Sequence, residues 1–307
     1  MNHLENSFKG KNKFWRYIVM LVVIFAAINS VGAIPFIIAG AFKQAANPDV
    51  LSTGGDFLSN LGINQNLMLA FMLFPFIVGL TAFALLIKPL HSKSFLQTIT
   101  GRPKFKWSRF FISGAIWLIL MAVYLFISIA FDRENFTLNN ISSSLITLIL
   151  LSLLLIPFQA AFEEVIFRGY FMQGFTCLFP VRLFALSATA MLFALMHSFN
   201  PEVKEFGFFS VMPQYFIFGL IFGIITILDN GIESALGAHA ANNAFLCIMV
   251  THKASALQTA AVFEQHNYCP ETELAGLAIA GLIFIFALWK IFGWSDISIL
   301  LKKVQAP

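Results

Sequence analysis

Several stretches of this 307-residue chain are apolar over about 20 residues or more. A helix rises about 1.5 Å per residue, so a run of that length crosses the hydrocarbon of a bilayer, which is about 30 Å thick. Only 11% of the residues are charged, whereas a soluble domain carries roughly a quarter. So few charges cannot cover a surface that faces water. The sequence therefore predicts an all-α, polytopic integral membrane protein.

The apolar runs predict eight transmembrane helices, at 14–42, 66–88, 110–131, 141–177, 181–200, 208–228, 232–251 and 273–294. Pro35 predicts a kink in the first of them, and Pro157 lies inside the fourth. We divide the chain into N-terminal membrane helices (1–140), a helical core (141–251), and a last part with an outer loop, the final helix and a tail (252–307).

The positive charges give an orientation. Fourteen Lys and Arg residues fall on one side of the predicted topology, and four fall on the other: Lys43, Arg133, Lys204 and Lys253. Cytoplasmic loops carry the excess of Lys and Arg, so both termini are predicted to be cytoplasmic. Because the charges follow topology, the net charge of +4 does not indicate a nucleic-acid partner. Three scattered cysteines are too few for a disulfide framework.

Ionisable residues interrupt the fourth apolar run. Each costs roughly 2.5–3.5 kcal/mol at the bilayer centre, so such residues usually have a task. On a helix, Glu164 and Arg168 are i,i+4 neighbours that can pair, whereas Glu163 lies about 100° further round and lacks that partner. The simpler interpretation is that both glutamates are charges at a cytoplasmic helix end.

A histidine on the next helix argues against that interpretation. Pro180 is the expected turn, and Glu163 and His197 each lie 17 residues from it. In an antiparallel hairpin the two side chains would reach the same level, about 25 Å from the turn. A carboxylate and an imidazole would then face each other deep in the bilayer.

A second histidine lies on a helix rich in small residues. His239 and Asn243 share a helix face at i,i+4, and the small residues of 237–244 permit close packing. Their simpler role is hydrogen bonding between helices. His239 is also only about 12 Å from the Asn230-Gly231 turn by helical rise. It would be shallower than Glu163 unless helices tilt or the 229–238 segment is re-entrant.

Three motifs occur in order on successive membrane segments: Glu163-Glu164-x-x-x-Arg168, Phe193-x-x-x-His197 and His239-x-x-x-Asn243. Together they resemble the CPBP family, the CaaX prenyl proteases and bacteriocin-processing enzymes also called Abi. The resemblance covers about residues 150–250. It implies an intramembrane endopeptidase in the inner membrane of a prokaryote, with Glu164 and Arg168 as a structural pair.

The same resemblance implies roles for the other polar residues. Glu163 and His197 would activate water, while His239 and Asn243 would stabilise the oxyanion. Alternatively, Glu163, His197 and His239 could form a zinc ligand set, although the His-Glu-x-x-His signature of many zinc proteases is absent. A buried carboxylate is a stronger base, which suits water activation near neutral pH.

The implied partners are the lipid bilayer and a peptide or protein substrate presented at the membrane, such as a prenylated or bacteriocin-like precursor. A non-catalytic protein is the competing hypothesis. Intramembrane Glu and His also suit a proton-coupled transporter, and a bacteriocin-immunity scaffold would act by binding alone. Transporters usually show internal repeats, and this sequence shows none.

Overall fold

The computed structural model describes residues 2–46, 61–140, 142–294 and 296–306. Its α-helices are α1 (Phe14–Ser30), α2 (Ile34–Ala46), α3 (Gln65–His91), α4 (Phe95–Ile99), α5 (Trp107–Phe131), α6 (Ser143–Glu164), α7 (Met172–Leu178), α8 (Arg182–Met196), α9 (Pro201–Phe206), α10 (Phe208–Leu228), α11 (Glu233–Met249) and α12 (Pro270–Phe292). Short 3₁₀ helices lie at Leu4–Phe8, Arg133–Asn135 and Ile297–Leu301. The all-α, polytopic membrane architecture is confirmed.

The predicted number of eight spans is not confirmed. Within the described residues, six helical segments are long and apolar enough to cross a membrane: Phe14–Ala46, Gln65–His91, Trp107–Phe131, Ser143–Leu178, Phe208–Leu228 and Pro270–Phe292. The remaining two predicted spans correspond to shorter helices, the apolar α8 of 15 residues and α11 of 17 residues. Helix α11 packs between α5 and α6, so its polar side chains are buried against protein and need no continuous apolar run.

Two helices are interrupted, the first as Pro35 predicted and the second at a place that was not predicted. The first apolar segment breaks between Ser30 and Ile34, and Pro35 lies in the first turn of α2, where the missing N–H of proline is tolerated. Helix α6 continues into α7 through a π-helical segment, Val165–Phe171. The wider turn begins directly after the two glutamates, and π-helical turns are frequent at functional sites.

Helix α11 lies in the middle of the bundle and contacts α5, α6 and α10. Two glycines explain how closely it approaches α5. A Cβ atom on Gly237 would overlap the carbonyl oxygen of Phe110, and one on Gly114 would come within 3.0 Å of the Gly237 carbonyl. Small residues at these positions let the two helices meet backbone to backbone. Around them, large buried side chains such as Trp117, Phe222 and Phe284 fill the core.

The turn between α10 and α11 is covered by other parts of the chain. The Gly101 N–H donates to the Asn230 carbonyl at 3.0 Å, and Thr100 pairs with Gly231 as an isolated β-bridge. The N-terminal segment packs over the same region, where His3 Nε2 donates to the Arg168 carbonyl at 3.0 Å. Burial lowers the pKa of His3 to about 4, so this imidazole is neutral.

Four charged residues fix this end of the bundle, and we call them the turn cluster: Asp229, Glu233, Arg102 and Arg109. Arg102 lies 3.3 Å from a carboxylate oxygen of both Asp229 and Glu233, and Arg109 also pairs with Asp229. Two carboxylates thus meet two guanidinium groups. The cluster joins the start of α5 to the α10–α11 turn.

At the opposite end of α11, a small sheet was not anticipated from the sequence. Its strands are β1 (Phe136–Leu138), β2 (Val250–Thr251) and β3 (Phe263–Gln265), in the order β1-β3-β2. β1 and β3 are antiparallel, whereas β2 and β3 are parallel. Strands of two or three residues leave no periodic pattern that could have predicted them.

Candidate functional site

A cavity of about 500 Å³ lies inside the bundle and extends to the small sheet. Helices α3, α5, α6, α8, α10, α11 and α12 all contribute side chains to its wall. The four residues predicted as catalytic all line it: Glu163, His197, His239 and Asn243. The structure therefore brings three separate sequence motifs to one cavity.

Glu163 and His239 come closest together. His239 Nε2 lies 3.6 Å from Glu163 Oε2, and both side chains are buried. Glu163 Oε1 accepts a hydrogen bond from Gln159, one helical turn earlier on α6. Glu163 Oε2 has no hydrogen-bond partner among the described residues. One oxygen of this carboxylate is thus held in place, and the other faces an imidazole across a gap slightly longer than a hydrogen bond.

Glu164 binds both a cation and the same histidine. Arg168 Nη1 donates to Glu164 Oε1 at 2.8 Å, as the i,i+4 spacing predicted. His239 Nδ1 lies 2.8 Å from that oxygen, a contact that the sequence did not predict. Because a carboxylate only accepts, Nδ1 carries the proton, and Nε2 is the nitrogen presented to Glu163.

Arg168 is enclosed completely. Its side chain is 1% exposed, and its guanidinium lies over the ring of Phe193 at 4.3 Å. The second terminal nitrogen reaches the Gly219 carbonyl at 3.4 Å. A cation over an aromatic face is stabilised when water is excluded, so Arg168 is held by packing as well as by its carboxylate.

The charges of this group do not balance. We call Glu163, Glu164, Arg168 and His239 the site cluster. It contains two carboxylates and one permanent cation. A low-dielectric interior disfavours an unpaired charge. The carboxylate without a permanent cation is that of Glu163, which faces His239 at 3.6 Å.

A chain of amide side chains leads to Glu163. Trp117 Nε1 donates to Asn242 at 3.0 Å, Asn242 donates to Asn243 at 3.0 Å, and Asn243 donates to Gln159 at 2.9 Å. Gln159 then donates to Glu163. Sequence reasoning missed Gln159, Trp117 and the part played by Asn242. For Gln159 a signal existed, because it lies one turn before Glu163 on the same helix face.

His197 lies directly after the end of α8. Its Nδ1 lies 2.7 Å from the Phe193 carbonyl, which can only accept, so Nδ1 carries the proton. Its ring stacks on Tyr215 with centroids 4.2 Å apart. The Phe193 ring lies near both imidazoles, 4.6 Å from His197 and 6.1 Å from His239. His197 therefore reaches the cavity with Nε2 available.

The depth of His239 was an open question in the sequence, since the Asn230 turn seemed too close. In the structure every residue from Gly231 to Ala240 is buried. The covered turn described above is therefore not the surface of the protein, and counting residues from it underestimates the depth of His239. His239 reaches Glu163 from a segment that is buried throughout.

The three predicted zinc ligands line the same cavity but are not grouped at metal-binding distances. In the part of the chain that the structure describes, no three His, Cys, Asp or Glu side chains are grouped as metal ligands. His239 Nδ1 is taken by Glu164, and His197 Nδ1 is taken by a backbone carbonyl. The involvement of zinc stays a prediction.

Comparison with known proteins identifies the segment that carries the site. Residues 142–245, about a third of the chain, match the family model described as type II CAAX prenyl endopeptidase Rce1-like. All three motifs lie within this segment, and the resemblance to the CPBP family is confirmed. The chain is also 28% identical over 257 residues to the uncharacterized protein YyaK of Bacillus subtilis (strain 168), covering 83% of this chain and 84% of that protein. No solved structure matches it significantly.

Proposed function

We propose that this membrane protein, which shares the Rce1-like segment of the CPBP family, is an endopeptidase that hydrolyses a membrane-associated peptide or protein within the bilayer. One observation carries the proposal. Glu163 presents a buried carboxylate oxygen without a hydrogen-bond partner, within the described residues, to the Nε2 atom of His239 inside a cavity. Such an arrangement is suited to holding and activating a water molecule.

The 3.6 Å between Glu163 Oε2 and His239 Nε2 is longer than a direct hydrogen bond, and both residues line the cavity, so a water molecule in the cavity could contact both atoms from one side. A substrate water that contacts both would transfer a proton to Glu163, and its oxygen would attack the scissile carbonyl carbon. General-base catalysis of this kind contributes typically about 10²–10⁴-fold. Glu164 keeps the imidazole in the required tautomer and orientation, because it holds Nδ1–H.

Two further groups complete the reaction. Asn243 uses one amide hydrogen for Gln159 and has a second one, which is free to stabilise the tetrahedral oxyanion. His197 carries its proton on Nδ1. Its Nε2 can relay the proton taken from water to the nitrogen of the leaving amine. The C–N bond then breaks, and the products are a carboxylic acid and an amine.

The wall of the cavity suggests how the substrate is bound. Apolar and aromatic side chains from α3, α5 and α12 surround the polar site, including Leu73, Trp117 and Leu277. A peptide that arrives in extended form, tethered by a lipid or by a membrane helix, could enter such a space. We place both termini in the cytoplasm, on the excess of Lys and Arg on that side.

The direct test is cleavage by purified protein in lipid vesicles. Lipidated and unlipidated forms of the same peptides would be incubated with wild type, Glu163→Gln and Glu205→Gln, and the products identified by mass spectrometry. Glu205 is exposed on α9 and does not line the cavity, so it serves as a matched control. Cleavage by wild type and the control, but not by Glu163→Gln, supports the proposal. A transporter or an immunity scaffold would leave every peptide intact.

Participation of a metal is decided separately. Active protein would be treated with a chelator and then supplied with zinc, while its metal content is measured. If activity is lost with the chelator and recovered with zinc, zinc takes part in the reaction. Full activity in protein that contains less than one metal per chain would show that the side chains act without one.

A further inference from the structure

A second buried carboxylate lines the cavity beside the candidate catalytic residues. Glu202 is 8% exposed. Its Oε1 atom accepts hydrogen bonds from the Tyr215 hydroxyl and, at 3.2 Å, from the Asn200 amide. Its Oε2 atom has no hydrogen-bond partner, and no Lys or Arg lies within ion-pairing distance among the described residues. A buried carboxylate without a cation is costly, so its partner should come from outside the chain.

The surroundings of Glu202 also suit a cation. Tyr215 and Tyr268 both line the cavity, and the ring of His252 stacks on Tyr268 with centroids 4.3 Å apart. The faces of aromatic rings attract ammonium and guanidinium groups. Burial lowers the pKa of His252, although Glu202 acts in the opposite direction, so His252 is neutral near pH 7 and does not supply the missing charge.

The sign of the charge is uniform along the wall. Three carboxylates line the cavity, those of Glu163, Glu202 and Glu273. Within the described part of the chain, its wall contains no Lys and no Arg. A cavity lined by one sign of charge concentrates ligands of the opposite sign. Negatively charged peptides are therefore poor candidates for this space.

Tyr215 connects Glu202 to the reaction. Its hydroxyl donates to Glu202, and its ring stacks on His197. A group bound at Glu202 is thus one aromatic ring away from the imidazole assigned to the leaving amine. A peptide with its scissile bond at Glu163 and His197 would place a neighbouring side chain at this position.

We propose that Glu202, together with Tyr215 and Tyr268, forms a subsite for a basic side chain, so that the substrate is a peptide with a Lys or Arg close to the scissile bond. This inference rests on the proposed function and specifies its substrate. The ammonium or guanidinium would donate to Glu202 Oε2 and lie against the aromatic rings. It would supply the positive charge that the wall of the cavity lacks.

The test uses short N-palmitoylated peptides in which a single lysine is moved residue by residue, each matched with a peptide that has norleucine instead. Norleucine keeps the aliphatic chain and removes the charge. Cleavage is measured as kcat/KM for wild type, Glu202→Gln and Glu205→Gln. Binding of the same peptides to the Glu163→Gln variant is measured in detergent, which requires no turnover.

At one lysine position, wild type and Glu205→Gln should prefer lysine over norleucine by about tenfold or more, the effect expected of a charge-assisted hydrogen bond. Glu202→Gln should reduce that preference to about one. The Glu163→Gln variant should show the same preference in binding. If no peptide is cleaved but lysine peptides still bind about tenfold more tightly, the proposed function fails and the subsite stands.

Two outcomes would overturn the subsite. Equal binding of lysine and norleucine peptides at every position would show that no cation is recognised. A Glu202→Gln variant that lowers kcat equally for both peptide series would show that Glu202 only positions Tyr215 and His197. Size-exclusion profiles of the variants establish that each one is folded.

Discussion

The site cluster and the turn cluster are two groups of buried carboxylates in the same bundle, and they differ in charge. The turn cluster pairs two carboxylates with two arginines. The site cluster pairs two carboxylates with one arginine and a histidine. Both are connected through helix α11, which supplies Glu233 to one and His239 to the other. Both clusters combine two carboxylates with basic side chains, so the residue types alone do not show which cluster could be catalytic.

The difference indicates which cluster can react. In the turn cluster every carboxylate has a permanent cation beside it, so no proton needs to move. In the site cluster the Glu163 carboxylate lacks such a partner and faces the His239 imidazole at 3.6 Å instead. Only the site cluster also reaches the cavity, since neither Asp229 nor Glu233 lines it. The missing positive charge next to a cavity is the feature on which we assign the proposed reaction to the site cluster and a structural role to the turn cluster.

The largest effect is expected from removing the acid without a cation. Glu163→Gln should lower kcat/KM by about 10²–10⁴-fold, because the general base is lost. The unfolding midpoint should be unchanged or higher, because a buried negative charge is removed. Peptide cleavage and thermal unfolding of the same preparation measure both. Activity close to wild type would refute the assignment of Glu163 as the base.

The next effect concerns the cation of the site cluster. Arg168→Met should destabilise the protein by about 3–5 kcal/mol, because Glu164 is left buried without its cation. The double variant Arg168→Met, Glu164→Gln should recover part of this loss, since the two residues contact each other. Chemical unfolding of wild type, Arg168→Met, Glu164→Gln and the double variant completes a double-mutant cycle. Strictly additive effects would contradict a direct pairing.

The turn cluster should respond in stability alone. Asp229→Asn should cost about 1–3 kcal/mol, because Arg102 and Arg109 lose a buried partner while they retain 16% and 23% exposure to solvent. Activity per folded molecule should stay at the wild-type level. Unfolding and cleavage are measured side by side. Loss of cleavage in a fully stable Asp229→Asn protein would break the distinction between the two clusters.

The smallest effect is expected from the residue that holds Glu163. Gln159→Leu should lower kcat/KM by about tenfold, because the carboxylate loses the donor on its Oε1 atom and its orientation relaxes. Peptide cleavage and thermal unfolding are measured on the same preparation. A loss of rate that is matched by an equal loss of folded protein would indicate a packing defect only.

Much of the membrane architecture could be predicted because it depends on local composition. The predicted span 208–228 has the bounds of α10, and 66–88 differs from α3 by one residue at its start and three at its end. The count of eight is not confirmed at α8 and α11, whose 15 and 17 residues fall short of the about 20 that a full span needs. Neighbouring helices bury most of α11, and burial by neighbours is not visible in a hydropathy window.

The candidate site was predicted only in part. The Glu164–Arg168 pair followed from helical spacing, and the structure contains it. The second bond of Glu164, to His239, joins residues 75 positions apart and has no local signal. A role for Glu202 was not predicted, because the residue lies in a short helix outside the apolar runs. The proposed role depends on the contact with Tyr215 and on the lack of a neighbouring cation among the described residues.

By itself, the sequence determined that this chain is a helical membrane protein with ionisable residues in three ordered motifs, because the length of an apolar run and the spacing along a helix are properties of neighbouring residues. Only the tertiary structure decided which of these residues meet. Close packing of α11 against α5 and α6 brings an imidazole between two carboxylates. The charge balance of a buried group is the sum over all elements around it, and no single segment contains that sum.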